Sequence, residues 1–368
     1  MDSQIEYYSS FQEVLLHLNK GNRVKNLLFG NGFSIAFNPL IFSYNALAKK
    51  INEGQDEGLK RVFNTLGTQN FELAMNQLKI MIQLIDDLEG TSGFKDKVSQ
   101  IHEKIKQALI DTILEMHPGN VFSVQGGRAE TCATFLREFL DERENTRGTK
   151  IPGGHVFSTN YDLLLYWVVM SQLDHSGGGY CDGFAYEDSG RERLIWGYNK
   201  EKQNIHYLHG TLPFFNVGGE LVKLQYNGNT LIENITVQVR SDKYPLFVAA
   251  GTKEDKRVQI SQSAYLQFCY RKLTELVGSL VVIGFGFGEN DEHIIDAINK
   301  AARLDRGGER LFSVYIGYFD ENDKKHIEQH VVGKIKCSVR LFPSSTVAIW
   351  DKQGESDGND SSKIVQCS

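Results

Sequence analysis

The 368-residue chain is 41% hydrophobic and 23% charged, the make-up of a globular protein with a substantial core, folded as one large domain or two ordinary ones. Its 40 basic and 46 acidic residues leave a formal charge of −6, which argues against a whole-surface grip on duplex DNA, and direct nucleic-acid binding is not expected. No apolar run approaches membrane-spanning length, and the start, Met1-Asp2-Ser3-Gln4-Ile5-Glu6, lacks a basic region followed by an apolar core, so a cytoplasmic protein without membrane contact is expected.

Residues 5–20 carry apolar side chains at helical spacing and predict an amphipathic helix. Val24–Phe29 reads as a short buried strand that delivers Gly30-Asn31-Gly32-Phe33-Ser34. Two glycines one residue apart at a strand end permit a tight turn and close backbone approach, so amides and a helix N-terminus can face a pyrophosphate. Ile35 stands where the dinucleotide fingerprint has its third glycine, and a plain strand-to-helix turn is the other reading.

From Ser43 to Leu140 the pattern becomes helical, as in Phe71–Ile82, with polar connections at Asn52–Gly58 and Gly90–Gly93. Met75 and Met81 read as core of this segment, and Asn70-Phe71-Glu72 as a helix cap and opening, the alternative being a reach back to the pocket. Asn145–Gly154 brings the chain back to the sheet, where Val156-Phe157-Ser158-Thr159-Asn160-Tyr161-Asp162 marks the carboxyl end of a strand before an apolar helix. In an open α/β sheet ligands bind beyond such ends, which directs Asn160 and Asp162 toward a pocket; a cap or Asx-turn is the alternative.

A glycine-rich loop at 176–184 could lie over a ligand or be only a loop. Ile205–Thr211 predicts a strand ending in His209-Gly210, a place for a titrating base, with His206 as the rival histidine and a structural role as the alternative for either. Tyr244–Ala250 predicts a further strand, and Tyr265–Val277 a helix. Leu280–Ile283 then runs into Gly284-Phe285-Gly286-Phe287-Gly288-Glu289-Asn290-Asp291, a second turn where backbone can approach a ribose or phosphate. Late strands fall at Leu311–Gly317 and Val339–Phe342. Cys132, Cys181, Cys269, Cys337 and Cys367 are scattered and form no C-x-x-C pair, so free thiols are expected and no zinc or other metal site.

Taken in order, the glycine turn, Ser-Thr-Asn-Tyr-Asp, Leu-His-Gly and Gly-Phe-Gly-Phe-Gly-Glu-Asn-Asp resemble the bacterial sirtuin-like family, especially its members that break down NAD in antiphage defence. The resemblance spans residues 24–320 and implies a Rossmann-like α/β fold with a mostly parallel sheet. In this reading residues 1–42 and 151–350 form the NAD-binding domain, 43–150 a helical insertion between the first and second strands, and 351–368 a polar tail. It implies catalytic roles for Asn160, His209 and Asp162, with Asn160 placing water, His209 accepting a proton and Asp162 holding the carboxamide. NAD+ would be bound by Gly30, Asn31, Gly32, Phe33, Ser34, Thr159, Gly284, Phe285, Gly286 and Asp291.

Two departures stand out: Gly286 replaces a serine of the family, and the four zinc-binding cysteines of protein-deacylating sirtuins are missing. Water is then the expected acceptor and NAD+ hydrolysis the expected reaction, the alternatives being a sensor of NAD or ADP-ribose and a deacylase or ADP-ribosyltransferase. Defence relatives imply a homo-oligomer, with a HerA-type ATPase or a phage-derived activator as partner.

Overall fold

The computed structural model describes residues 5–350 apart from 44–45, 47–48, 50–55, 69, 88–91, 120–123, 125–126, 146–147, 174–179, 188–192, 226–229, 242 and 249–250. The chain enters on an edge strand, β1 (Glu6–Tyr7), and helix α1 (Phe11–Lys20). The helix expected over residues 5–20 therefore starts only at Phe11. Ser10 caps it by accepting the Glu13 amide at 3.3 Å, and Tyr8 donates its own amide to Leu341 at 2.9 Å, which keeps the preceding residues extended.

Strand β2 (Lys25–Phe29) is buried at every position, and full burial of Leu27, Leu28 and Phe29 stabilises by about 1.5–3 kcal/mol each. After α2 (Gly32–Phe37) and α3 (Pro39–Phe42) come α4 (Glu57–Leu66), α5 (Phe71–Asp87) and α6 (Ser92–Met116). Helices α5 and α6 pack along each other, α5 burying Ala74, Met75, Leu78 and Ile85. Met81, expected in that core, is exposed on α5. Helix α7 (Arg128–Leu140) leaves this group and packs on β2, so the helical excursion is followed by the sheet's own crossover helix.

A hairpin of β3 (Arg143–Glu144) and β4 (Lys150–Ile151) leads to β5 (Val156–Ser158) and the buried helix α8 (Leu164–Gln172). Next come β6 (Phe184–Tyr186), β7 (Leu194–Trp196), β8 (Ile205–Tyr207), β9 (Phe214–Val217) and β10 (Glu220–Lys223). Four of them form an antiparallel sheet, β6-β7-β10-β9, that the sequence reading did not contain. Part of the glycine-rich loop before it, 176–179, lies outside the described residues.

The remaining elements are α9 (Leu231–Arg240), α10 (Lys253–Ser261), α11 (Ala264–Thr274), β11 (Gly278–Ile283), α12 (Glu292–Ala301), β12 (Leu311–Tyr318), α13 (Glu321–His330) and β13 (Ser338–Pro343). The strand expected at Tyr244–Ala250 does not form. Phe247 makes a single isolated bridge to Gly210, and Pro245 has no N–H to continue a ladder. Ala249, Ala250 and the expected tail 351–368 lie outside the described residues.

The central sheet has seven strands in the order β1-β13-β12-β11-β2-β5-β8, and every neighbouring pair is parallel. The fold is thus α/β and Rossmann-like, with the helical segment between β2 and β5. From β2 the chain builds outward through β5 and β8 on one side and through β11, β12 and β13 on the other. The strand order reverses between β2 and β11, the point in such sheets where ligands bind. At the end of the described chain Trp350 is 2% exposed, packs on Phe33 and Phe37, and donates Nε1 to the Phe33 carbonyl at 2.8 Å. Among the described residues no helix is long and apolar enough to cross a membrane.

Three buried histidines are locked as neutral rings. His117 Nε2 accepts the Leu163 amide at 3.1 Å, which leaves Nδ1–H to donate to the Pro118 carbonyl at 3.1 Å. Trp196 Nε1 donates to Gln203 Oε1, so the Gln203 amide nitrogen faces His206 Nδ1 at 3.2 Å, and His206 Nε2–H donates to His155 Nδ1 at 3.0 Å. Burial holds His117 and His155 down to about 4, and His206 well below the ordinary range. Because these folded-state values lie below the unfolded one, their contribution is complete above about pH 6.5 and is lost as the pH falls below it. Urea denaturation should show stability falling by about 2 kcal/mol in all between about pH 7 and about pH 5 for each such ring. Equal stability at both values would contradict the neutral buried state.

Candidate active site

A cleft of about 600 Å³ opens beyond the carboxyl ends of β2, β5, β8 and β11, at the reversal of strand order, and its size suits a small-molecule ligand. Asn31 follows β2, Thr159–Asp162 follow β5, His209 follows β8, and Gly284–Gly286 with Asp291 follow β11. The helical segment closes one side with Asn70, Glu72 and Asn76. Asn70 is a cap as expected, its Oδ1 accepting the amides of Glu72 and Leu73, and it lines the cleft as well.

The two glycine turns meet backbone to backbone. A Cβ on Gly32 would stand 2.5 Å from Gly284 Cα, and one on Gly284, at φ +63°, would stand 2.6 Å from Gly32 Cα. Gly32 N–H donates to the Gly284 carbonyl at 2.9 Å and Gly30 N–H to that of Ile283 at 3.3 Å. Phe33 and Ser34 donate to Gly30 and Asn31. The expected phosphate cradle is therefore not formed by Gly30, Gly32, Phe33 and Ser34: their amides are spent inside the protein and they lie behind the lining, where of this turn only Asn31 appears.

The second turn behaves differently. Phe285 and Phe287 are buried and meet edge to face at 4.9 Å, while Gly286 and Gly288 are exposed with nothing within 4 Å of a built Cβ. Among the described residues the amides of Phe285, Gly286, Phe287 and Gly288 make no hydrogen bond. Alternation of glycine and phenylalanine thus anchors the loop through its rings and leaves bare N–H groups beside the cleft. Such a concave run of amides suits an anion.

Beneath the cleft runs a hydrogen-bond relay. Asn160 Nδ2 donates to Ser34 Oγ at 2.9 Å, and Ser34 Oγ donates to Asp162 Oδ2 at 2.5 Å. Ser34 has one proton and spends it on Asp162, so it can only accept from Asn160, which fixes that amide with nitrogen inward. Asn160 Oδ1, which bonds to no other described residue, is left as an acceptor at the cleft. Asp162 Oδ1 accepts the Leu164 amide at 2.9 Å, so the helix-capping alternative holds together with the pocket reading. Burial raises the Asp162 carboxyl, opposed by the Ser34 and Leu164 hydrogen bonds. Thr211 Oγ1 donates to the Tyr161 and Asp162 carbonyls and ties the β8 end to the β5 end.

The two candidate histidines separate. His206 belongs to the core network described above, whereas His209 lines the cleft and sets its Nε2 2.9 Å from Nε2 of His293, the rings stacked at 5.1 Å. His293 is fully buried on α12; its Nδ1 forms no well-directed hydrogen bond, although the Asn290 backbone acts on it. Burial and the nearby Lys256 charge hold His209 well below the ordinary histidine range, and burial first of all takes His293 down to about 4. Both rings are neutral near pH 7.

Lys256, 1% exposed, joins the walls: its Nζ lies 2.8 Å from Asp291 Oδ1 and 3.4 Å from Glu72 Oε2. Burial opposes its charge, but the two carboxylates outweigh that and raise its pKa. A second pair, Lys79 with Asp255 at 2.6 Å, also fastens α5 to α10. His209, His293 and Asp291 are close enough to share a metal ion, and Asp291 Oδ1 also pairs with the Lys256 ammonium.

Of the residues expected to bind or react, Asn31, Thr159, Asn160, Asp162, His209, Gly284, Phe285, Gly286 and Asp291 come together at the cleft. His293, Lys256 and Asn76 were missed, whereas Glu72, read as a helix opening or a reach back to the pocket, lines the cleft. His293 carried one signal, its place two residues beyond Asp291 on the glycine turn's own helix; Lys256 sits in a Lys-Glu-Asp-Lys run that reads as a solvated helix start.

The family described as "Domain of unknown function (DUF4917)" matches residues 27–350. No curated protein matches the chain.

The glycine contact predicts opposite outcomes for two small substitutions. Gly284→Ala should destabilise by about 2–4 kcal/mol, from overpacking and left-handed backbone together, while Gly286→Ala should change stability by less than about 0.5 kcal/mol. Urea midpoints of the two variants decide it, and a costlier Gly286→Ala would overturn the assignment of the loop.

Proposed function

The chain belongs to the DUF4917 family, and we propose that its cleft hydrolyses NAD+ to nicotinamide and ADP-ribose. The observation that carries this reading is the Asn160–Ser34–Asp162 relay, which presents an oriented amide oxygen in the same cleft as a neutral histidine and a loop of bare amides. The motif resemblance to NAD-consuming sirtuin-like proteins supports it independently.

The chemistry asks for positioning above all. As the bond between the ribose anomeric carbon and the nicotinamide nitrogen breaks, its electron pair goes to the ring nitrogen, which leaves neutral, and positive charge develops on the ribose. Water adds to that carbon and loses a proton, giving ADP-ribose and nicotinamide. Asn160 Oδ1 accepts from the attacking water or a ribose hydroxyl, and neutral His209 takes the proton. The amides of Phe285–Gly288 hold the pyrophosphate. Asp162, with both oxygens engaged, orients Asn160 through Ser34 in place of the carboxamide contact first expected. In a cell this activity depletes NAD+, which fits a role in antiphage defence under the control of assembly or an activating partner.

Nicotinamide release by the purified protein tests the reading. Asn160→Ala and His209→Ala should each lower the rate by about a hundredfold or more; full activity in both variants would refute the assignments, and saturable NAD+ binding without release would make the protein a sensor. The pH profile gives a second check. His209 is held below its ordinary value, so the rate should stay level as the pH falls through about 6.5 and drop only lower. A half-maximal rate at about pH 6.5 would exclude the buried His209 as the base.

A further inference from the structure

A second cavity, of about 550 Å³, opens between β7, α10, α11 and α12 and shares no lining residue with the first. Lys200, Arg257, Arg271 and Lys300 surround it, and no carboxylate is found among the described residues that line it. Arg271 lies over the Phe268 ring at 5.5 Å and has Glu275 as a loose ionic neighbour at 4.0 Å, and Lys200, Arg257 and Lys300 form no ion pair among the described residues. In a chain of formal charge −6, four cations facing one hollow without an acid make a local field for an anion. Two are arginines, whose planar forks match phosphate oxygens.

The floor is aromatic. Phe268 is buried, Trp196 and Tyr270 are half-buried, and the Trp196 ring is held in place by its bond to Gln203 and by edge contacts with Tyr265 and Phe268. A rigid ring surface within a basic rim recognises a flat heterocycle carrying phosphate, and a hollow of this size holds one such unit.

This cavity also touches the first site from behind. Tyr270 lines it and donates its hydroxyl to the His293 carbonyl at 2.9 Å, with the two rings 6.3 Å apart and nearly parallel. His293 in turn meets His209.

We propose that this cavity is a nucleotide site, phosphates on its arginines and lysines and the base on its aromatic floor, whose occupancy is transmitted through Tyr270 to the His293–His209 pair. Any effect on turnover rests on the hydrolase reading; the binding and the transmission do not.

Calorimetric titration of the full chain with ATP and with inorganic tripolyphosphate tests the site. ATP should bind more tightly than tripolyphosphate, and Arg257→Glu combined with Arg271→Glu should weaken ATP by about tenfold or more, on the scale of lost charge-assisted contacts. Both arginines are exposed, and thermal unfolding checks that the double variant folds. No ATP binding, binding that survives the reversal, or tripolyphosphate bound as tightly as ATP would overturn the nucleotide site. Ring-nitrogen resonances of His209 and His293 read the transmission without any need for turnover: ATP should shift them in the wild type and leave them unmoved in Tyr270→Phe, which keeps the ring, at an ATP concentration that calorimetry shows to saturate both proteins. Equal shifts in both proteins would overturn the route through Tyr270.

Discussion

Strands β2 and β11 end so close together that only hydrogen fits between Gly32 and Gly284, and the rest of the cleft takes its geometry from that approach. It consumes the amides of the first turn and brings Ser34 under the end of β5, where a single hydroxyl proton decides which way Asn160 faces. It also diverts the chain after Gly284, so that the following loop carries the unspent amides. Two turns that look alike in sequence thus differ in structure: one is a joint between strands, the other leaves its amides bare beside the cleft. The difference comes from the sheet's order, since the paired residues of β2 and β11, such as Lys25 and Ser279, stand 254 positions apart in the chain and become neighbours only at the reversal.

The fold was legible wherever an element carried its own pattern. β2, β5, β11, β12 and β13 are apolar runs bounded by turn residues, and the helices between residues 57 and 140 show apolar spacing. What escaped notice lacks such a pattern. Strand β1 is two exposed residues held by pairing with β13, and the antiparallel sheet is made of strands of three and four residues, of which only β9 and β10 are joined by a tight turn, Gly218-Gly219. Conversely, Tyr244–Val248 looks like a strand because it is apolar, but its amides go singly to Phe214 and His209. In the site, Asn160, Asp162 and His209 were readable as polar residues after strand ends. Lys256 and His293 were not, because only the fold brings α10 against α5 and α12 against the end of β8.

The helical segment between β2 and β5 is more than a lobe attached to a sheet. Its helix α5 contributes Asn70, Glu72 and Asn76 to the cleft and is held there by two ion pairs, one of them on a lysine with almost no exposure. A buried charge of this kind contributes little net stability, yet separating it from its partners is costly. The cleft wall is therefore held in register with the glycine loop, because Lys256 must satisfy Glu72 and Asp291 at once.

Trp350 has a consequence for the timing of assembly. Its indole seals the back of the helix that carries Ser34, through a hydrogen bond spanning 317 residues of chain. During synthesis the early strands and the helical segment leave the ribosome long before their last packing partner does, and at about 5–20 residues per second that interval is about 15–60 s. The relay that orients Asn160 is thus among the last parts of the molecule to become rigid. A nascent chain that has reached Phe342 already carries every residue of the cleft but not its buttress, so the helix bearing Ser34 is sealed only once Trp350 has been added.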